Sequence, residues 1–177
     1  FNNYMSVKGA TDEQMSTVGD CIHNTFCILV PHDEDNNIVK AQRVIDGYNM
    51  QNHLDAKTLS DRFKMFYDKL VELYGAPEKV YHELPFFYDN GNGSIVRGSM
   101  DYVFETAKGC VLVDFKTNPQ GKKVLNKLTD KGKPNEHYTG NYNTQYTCYA
   151  TALEKAGKKV IAKLVYYPVG GFIAELK

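Results

Sequence analysis

Two aspartates and a lysine stand in two β-like runs that a short turn connects. The first run contains Gly98-Ser99-Met100-Asp101, and the second contains Asp114-Phe115-Lys116, its first residue thirteen positions after Asp101. Antiparallel pairing across the intervening turn can bring Asp101 alongside Asp114. Carboxylate oxygens are ligands that Mg²⁺ and Mn²⁺ prefer, and a nearby lysine can stabilise charge on an attacked phosphate. The pattern therefore predicts a divalent-metal site that activates water against a phosphodiester bond.

Asp114 lies within a run that otherwise has the composition of a buried strand, between Val113 and Phe115. The two-residue period of a strand places Asp114 and Lys116 on one face and Phe115 on the other. A carboxylate is disfavoured in the middle of a strand unless it has a partner or a function. The alternative interpretation is a structural ion pair between Asp114 and Lys116 near the strand end.

The composition is that of a globular protein without a charge bias. The chain has 177 residues, 42% of them hydrophobic and 24% charged, which suffices for one domain with a core. Its 21 basic and 21 acidic side chains cancel, so affinity for nucleic acid must come from local clustering. No apolar run of about 18 residues is present, so we expect no membrane span and a cytoplasmic location in a bacterium.

The apolar spacing predicts helices in the first 75 residues and a sheet after them. A capping box at Thr11-Asp12-Glu13-Gln14 begins the first helix, which ends before an acidic loop at 31–37. The other predicted helices cover residues 38–48, 58–74 and 144–156. The predicted strands cover residues 79–88, 94–106, 110–117, 160–167 and 172–176. A polar segment at 118–143 separates the third strand from the last helix. This order indicates an α/β fold with a small mixed central sheet flanked by helices.

Weaker signals come from the first and last helices. Gly19 and His23 lie four residues apart, so the glycine can admit a neighbouring element while His23 could reach a metal. Gln145 and Tyr149 also lie four apart and share a helical face. Each pair also fits ordinary packing, with His23 as a surface or core residue and Tyr149 as a half-buried ring. Glu83 either adds a carboxylate to the site or faces solvent.

A basic run follows Lys116. Only Asp130 opposes its five lysines, which fall within twelve residues at Lys122, Lys123, Lys127, Lys131 and Lys133. Such a run could lie along a phosphate backbone, and the alternative is a solvated loop. Tyrosines at 138, 142, 146 and 149 could stack on bases, but the last two fit helix packing better.

Five short motifs follow one another along the chain. They are Gly19-x-x-x-His23, Glu83-Leu84-Pro85-Phe86, Gly98-x-x-Asp101, Asp114-Phe115-Lys116-Thr117 and Gln145-x-x-x-Tyr149. Each motif alone is unspecific, but the ordered series resembles the RecB-type branch of the PD-(D/E)XK nuclease superfamily. Within that branch it resembles the C-terminal nuclease domain of bacterial AddA/RecB-type helicase–nucleases. Pro85 within the second motif indicates an edge or bulged strand.

The resemblance implies a restriction-endonuclease-like core and a DNA exonuclease that uses Mg²⁺ or Mn²⁺. Asp101, Asp114 and Lys116 would be its catalytic residues, with Lys116 as the catalytic lysine. The implied metal ligands are His23, Asp101, Asp114, the backbone carbonyl of Phe115 and the further carboxylate of Glu83. The implied supporting or DNA-binding residues are Gln145, Tyr149, Lys122 and Lys123.

The resemblance also implies one nuclease domain over 1–177, mainly helical at 1–75, with a sheet core and the active site at 79–177. Because the chain starts at Phe1 without a methionine, we expect a C-terminal fragment of a longer helicase–nuclease in double-strand break repair or recombination. The expected partners are DNA, the helicase part of the full-length chain and a second helicase–nuclease subunit. No G-x-x-x-x-G-K-[ST] phosphate loop occurs here, so the ATPase is expected elsewhere.

The cysteines give a further expectation. Positions 21, 27, 110 and 148 form no C-x-x-C pair, so we expect reduced, mostly buried thiols. Their spacing also differs from the four-cysteine pattern by which some relatives hold an iron–sulfur cluster, and no cluster is expected. Three alternatives stay open: an inactive nuclease fold that binds DNA or a partner, a stand-alone nuclease of phage or CRISPR-associated type, and a protein-interaction domain.

Overall fold

The computed structural model describes residues 5, 7, 9–117, 129–130, 133–134 and 136–176. Its elements, in chain order, are α1 (Asp12–Ile28), α2 (Glu34–Gly47), α3 (Ala56–Tyr74), β1 (Lys79–Asp89), β2 (Ile95–Thr106), β3 (Gly109–Phe115), β4 (Thr129–Asp130), β5 (Lys133–Pro134), α4 (Glu136–Lys155), β6 (Val160–Tyr167) and β7 (Phe172–Glu175). The chain divides into two compact units. The helical unit holds α1 to α3 with segments 115–117 and 167–172, and the sheet unit holds the other described residues from 77 onward.

The helices of the helical unit begin at capping residues that the sequence makes recognisable. The Thr11 hydroxyl accepts the Gln14 backbone N–H, and the Gln14 side chain accepts the Thr11 N–H, so the predicted capping box is confirmed. The Asp55 carboxylate accepts the Thr58 N–H at 2.7 Å and caps α3. Gly75 ends α3 with a positive φ of 91°, a conformation that glycine adopts at little cost.

Aromatic rings form the core of the helical unit. Phe26 of α1 meets Phe63 of α3 edge to face, with ring centroids 5.7 Å apart. The ring of Phe115 packs in the same manner against Phe26 and Phe66, at 5.5 Å from each centroid. All four rings are buried, so the last residue of β3 is part of this hydrophobic core.

The predicted acidic loop at 31–37 is wrong in its second half, because α2 already begins at Glu34. Glu34 and Asp35 lie in the first helical turn, where negative charge is favourable next to the free backbone N–H groups. The Asn37 side chain accepts the Val30 N–H at 2.9 Å and donates to the Val30 carbonyl at 2.7 Å. The polar residues therefore serve the helix start and the preceding turn.

A five-stranded mixed sheet is the centre of the sheet unit, with strand order β1-β2-β3-β6-β7. β1 pairs antiparallel with β2, and β2 pairs antiparallel with β3. Together with α4 the sheet confirms the predicted α/β class, and the architecture is compatible with a restriction-endonuclease-like core. β1 is an edge strand, as Pro85 predicted. The single-domain boundaries stay a prediction.

α4 is longer than the sequence predicted, because it begins at Glu136 rather than at 144. Part of the predicted polar segment at 118–143 is therefore helical. The first turns of α4, in the run Glu136-His137-Tyr138-Thr139-Gly140, lack the apolar spacing by which a helix is recognised in a sequence. The helix is followed by Gly157, with a positive φ of 76°, as predicted.

β3 begins at a glycine that the neighbouring chain requires. Gly109 has a φ of 138°, and a Cβ atom added there would lie 2.6 Å from the Lys159 carbonyl oxygen. That carbonyl accepts the Cys110 N–H at 2.7 Å. Any side chain at position 109 would therefore push this hydrogen bond apart.

The four cysteine thiols are free, and those of Cys21 and Cys110 are buried. Burial raises the pKa of the Cys21 thiol to about 11, so this group stays protonated at neutral pH. The prediction of unbridged thiols is confirmed, whereas the expected absence of an iron–sulfur cluster stays a prediction. No helix in the described part of the chain combines the length and the apolarity needed to cross a membrane.

An ion pair between Glu105 on β2 and Lys158 predicts how acid affects stability. The hydrogen bond from Lys158 holds the pKa of Glu105 below its usual value, and Tyr81 donates to the same carboxylate at 3.3 Å. A depressed pKa stabilises the fold above the unfolded-state pKa of about 4.3, and this contribution is lost as the pH falls. Glu105→Gln should therefore lower the free energy of unfolding at pH 7, and this difference should shrink below about pH 4.

Urea unfolding at several pH values measures this difference. Glu72→Gln is the matched control, because Glu72 pairs with Lys69 on the exposed surface of α3 and should contribute little at any pH. A Glu105→Gln penalty that stays constant from pH 7 to pH 3 would contradict the assignment.

Candidate active site

Asp114 is buried in β3 and is held by α4. Its side chain is 1% exposed, and its carboxylate accepts a hydrogen bond from the Gln145 side-chain amide at 2.8 Å. The same amide donates to the Tyr149 hydroxyl at 2.6 Å. Gln145 and Tyr149 lie one turn apart on α4, as predicted, so the helix fixes the orientation of the Asp114 carboxylate.

Asp101 lies across from Asp114 on the neighbouring strand. The pairing of β2 with β3 sets Tyr102 opposite Val113, and one further step along both strands sets Asp101 opposite Asp114. Side chains in such positions have their Cβ atoms about 5 Å apart, and two like charges there are destabilising. A cation between the two carboxylates would offset that repulsion.

Tyr146 on α4 gives an independent sign that both carboxylates are close. Burial raises the pKa of its hydroxyl, and the negative charges of Asp114 and Asp101 raise it further. The same hydroxyl donates a hydrogen bond to the Leu164 carbonyl of β6. Tyr146 therefore connects α4 to the sheet near the two aspartates, and the prediction that this tyrosine packs within the fold is confirmed.

Tyr149 is also a packing residue. It is buried, and its ring meets Phe86 of β1 edge to face with centroids 5.5 Å apart. Its hydroxyl accepts from Gln145, so one side chain contacts both the edge strand and the residue that holds Asp114. Whether Gln145 or Tyr149 also contacts DNA stays a prediction.

Glu83 is exposed on β1 and has an unusual backbone conformation. Its φ is 47°, in the left-handed region that a residue other than glycine seldom occupies. The Ser99 hydroxyl donates to its carboxylate at 2.7 Å. The sequence contained no signal for this φ, and Ser99, within Gly98-Ser99-Met100-Asp101, was not predicted as a contact. The choice between metal ligand and solvent-facing residue stays open.

His23 and Gly19 lie on α1 in the helical unit. The half-buried imidazole of His23 meets the Phe115 ring edge to face at a centroid distance of 6.1 Å. One turn earlier, a Cβ atom at Gly19 would lie 2.7 Å from the Thr117 Oγ1 atom. The predicted close approach of another element at Gly19 is therefore confirmed, and that element is the segment that follows β3.

Lys116 is half-buried and stands just beyond the end of β3. The predicted strand over 110–117 is wrong at its end, because β3 stops at Phe115 where the chain enters the helical core. Phe115 packs into the aromatic core, and Thr117 lies against Gly19. Contacts on both sides thus fix the backbone that carries Lys116.

The two units hold different parts of the predicted set. The sheet unit brings Asp101, Asp114, Gln145 and Tyr149 together, while His23, Phe115 and Lys116 belong to the helical unit. Lys116 is connected to Asp114 through the single residue Phe115. Lys122 and Lys123 lie outside the described residues, so their predicted role in DNA binding stays a prediction.

Comparison with known proteins gives a partial match. Over 98 residues the chain is 35% identical to an ATP-dependent helicase/nuclease, in its A subunit, from Thermoanaerobacter sp. (strain X514) and from Thermoanaerobacter pseudethanolicus (strain ATCC 33223 / 39E). The match covers 55% of this chain and 7% of each relative, so the chain corresponds to a small part of their length. No family model matches the chain.

The contact between Gly19 and Thr117 predicts a reversal of the usual effect of glycine in a helix. Gly→Ala in a helix normally stabilises by about 1 kcal/mol, but Gly19→Ala should destabilise by about 1–3 kcal/mol because the new Cβ meets Thr117 Oγ1. Thr117→Ala removes that oxygen and should restore the lost stability in the double variant.

Chemical unfolding of the two single variants and the double variant measures this coupling. Gly47→Ala is the matched control, because Gly47 is helical and nothing lies within 4 Å of its added Cβ. Additive effects of Gly19→Ala and Thr117→Ala would contradict the contact.

Proposed function

We propose that this chain is the nuclease part of an ATP-dependent helicase–nuclease and hydrolyses DNA phosphodiester bonds with Mg²⁺ or Mn²⁺. The observation that carries the proposal is the placement of Asp101 opposite Asp114, with the Asp114 carboxylate held by Gln145. Lys116 follows two residues later in the chain. Paired carboxylates with an adjacent lysine suit hydrolysis of phosphodiesters better than any other common chemistry.

The donor set of the sheet unit fits a hard divalent cation. Asp101 and Asp114 offer carboxylate oxygens from adjacent strands, and Mg²⁺ and Mn²⁺ prefer oxygen ligands together with water. The buried position of Asp114 and its bond to Gln145 pre-orient one of these carboxylates. His23, the Phe115 carbonyl and Glu83 are proposed as further ligands on the resemblance of their motifs.

The residues of the chain divide the chemistry between them. A divalent ion, when bound, lowers the pKa of water and neutralises charge on the phosphate. The Gln145 amide holds the Asp114 carboxylate through one of its two oxygens. Lys116 either orients the attacking water or stabilises the charge that develops on the phosphate, and its anchored backbone limits where the ammonium group can reach.

The matched relatives support the cellular context of the proposal. Both carry the name of an ATP-dependent helicase/nuclease, and we propose that this chain works within such an enzyme in double-strand break repair or recombination. Its partners would then be DNA, the helicase part of the full-length protein and a second helicase–nuclease subunit. This proposal also implies a cytoplasmic location.

The first prediction of the proposal concerns cleavage. The 177-residue chain should degrade end-labelled linear DNA, single- or double-stranded, with Mg²⁺ or Mn²⁺ and should not degrade it in EDTA. Lys116→Ala should lower the rate at least about 100-fold, because a charge-stabilising group is lost from the transition state. Gel electrophoresis over time, on both kinds of DNA, gives the rates.

Lys69→Ala serves as the control, since Lys69 lies on the surface of α3 and forms a surface ion pair with its neighbour Glu72. It should leave the rate unchanged. Cleavage that survives Lys116→Ala would sink the assignment of Lys116. A chain that binds DNA equally well with and without metal, and never cuts it, would instead be a binding module with a nuclease fold.

The second prediction concerns metal affinity. Gln145→Leu removes the amide that holds Asp114 and should weaken Mn²⁺ binding by about 10- to 100-fold, as is typical when the residue that orients a ligand is lost. Isothermal titration calorimetry measures this affinity. Asp114→Asn should weaken it further, because a charged ligand is replaced by a neutral one.

Asp61→Asn is the control for the loss of one carboxylate, since Asp61 pairs with Lys57 on the exposed face of α3. It should not change Mn²⁺ affinity. An equal loss for Asp61→Asn and Asp114→Asn would mean that the ion responds to net charge rather than to a site.

A further inference from the structure

One face of the β1–β2 hairpin exposes apolar side chains to solvent. Phe87 is 80% exposed and Ile95 is 61% exposed, the highest values among the large hydrophobic side chains that the structure describes. Single exposed apolar residues are common, but an aromatic ring with so little cover is unusual on a folded strand. The neighbours of these two residues therefore decide what the face can bind.

A cation stands directly beside the exposed ring. The strand register sets Phe87 opposite Arg97 and Asp89 opposite Ile95. Residues directly opposite each other share one face of a sheet, as do residues two apart along a strand. Phe87, Arg97 and Ile95 therefore form one continuous surface, which we call the hairpin platform.

The hairpin platform lies on the same row of β2 as the candidate active site. The two-residue period of a strand sets residues 95, 97, 99 and 101 on one side of β2, so Arg97 and Asp101 point to the same side. Four residues of strand separate them by roughly 13 Å. A polymer that contacts the hairpin platform can therefore reach Asp101 within a few repeating units.

The tip of the hairpin is built to hold its shape. The Asp89 and Asn90 side chains accept the N–H groups of Gly91 and Asn92, at 2.8 and 3.1 Å. Asn92 repeats this pattern toward Ser94 at 3.2 Å. Such side-chain bonds to the backbone fix a turn, so that a ligand would bind a surface with little conformational freedom to lose.

The edge of β1 itself is a poor site for a protein strand. Pro85 lacks the N–H that would pair with an added strand, and Glu83 has left-handed backbone angles. The face, rather than the edge, is thus the available surface. An exposed aromatic ring next to an arginine is the combination by which proteins hold single-stranded nucleic acid, through base stacking and phosphate contact.

We propose that the hairpin platform binds single-stranded DNA and directs the strand toward Asp101, with a base stacked on Phe87 and a phosphate held by Arg97. This inference rests on the proposed function, because it names the path of the substrate to that site. It makes Phe87 and Arg97 positioning residues for the substrate.

The affinity for a fluorescein-labelled oligothymidylate of about 20 nucleotides, measured in EDTA by fluorescence anisotropy, tests the proposal. Phe87→Ser should raise the Kd about 5- to 100-fold, which corresponds to the stacking of one base. Arg97→Gln should raise the Kd and also reduce the slope of log affinity against log salt by about 0.7, because one phosphate contact is lost. Leu73→Ser and Arg43→Gln, on exposed positions of α3 and α2, are matched controls and should change neither quantity.

A spectroscopic readout comes from the absence of tryptophan in the chain. Phe87→Trp introduces one indole, whose fluorescence should be quenched when a thymine stacks on it. Leu73→Trp introduces one indole away from the hairpin and should show no quenching with the same oligonucleotide. Quenching at position 87 and not at position 73 supports the proposal even if Phe87→Ser folds poorly.

Other outcomes overturn the proposal. They include no binding of the oligonucleotide by the unmodified chain, and Phe87 and Arg97 variants that bind it as tightly as the controls do. A Phe87→Ser change that converts a dimer to a monomer in sedimentation, without altering DNA affinity, would assign the face to protein contact instead.

The two proposals fail separately. Cleavage that depends on Lys116, in a chain whose DNA affinity ignores Phe87 and Arg97, would leave the nuclease standing and remove the hairpin platform. Hairpin-dependent binding without any metal-dependent cleavage would do the reverse.

Discussion

The register between β2 and β3 is the constraint on which the candidate active site depends. Because Tyr102 pairs with Val113, the next step along both strands sets Asp101 opposite Asp114. A slip of one residue would turn every side chain of β3 to the other face and separate the two carboxylates. The buried run of β3 and the close approach at Gly109 both resist such a slip. The repulsion between two facing carboxylates is then the feature that calls for a cation.

Other contacts support the residues on either side of this pair. In the sheet unit, Tyr146 bonds to the Leu164 carbonyl and Tyr149 packs on Phe86, so that α4 is held where Gln145 reaches Asp114. In the helical unit, the aromatic core takes up Phe115 and Gly19 makes room for Thr117. Two residues after Asp114, the chain therefore presents Lys116 from an anchored backbone. Positioning of this kind is what catalysis by charge stabilisation requires.

Much of this arrangement could be predicted from the sequence, and the misses have physical causes. The capping box at Thr11, the spacing of α3 and the edge character of Pro85 are local signals, and each was confirmed. The starts of α2 and α4 were placed too late because polar residues at a helix start lack apolar spacing. The left-handed φ of Glu83 has no local signature. The bond from Gln145 to Asp114 joins residues 31 positions apart and depends on the whole sheet unit.

The central claim is that Asp101 and Asp114 together hold a divalent ion. Anomalous diffraction from crystals of the chain grown with Mn²⁺ tests it most directly, because the signal locates the ion without assumptions about activity. The account predicts a peak within about 2.5 Å of a carboxylate oxygen from each aspartate, and loss of that peak in Asp114→Asn crystals. A peak elsewhere, or an ordered site that retains both aspartates and shows no peak at saturating Mn²⁺, would contradict the account.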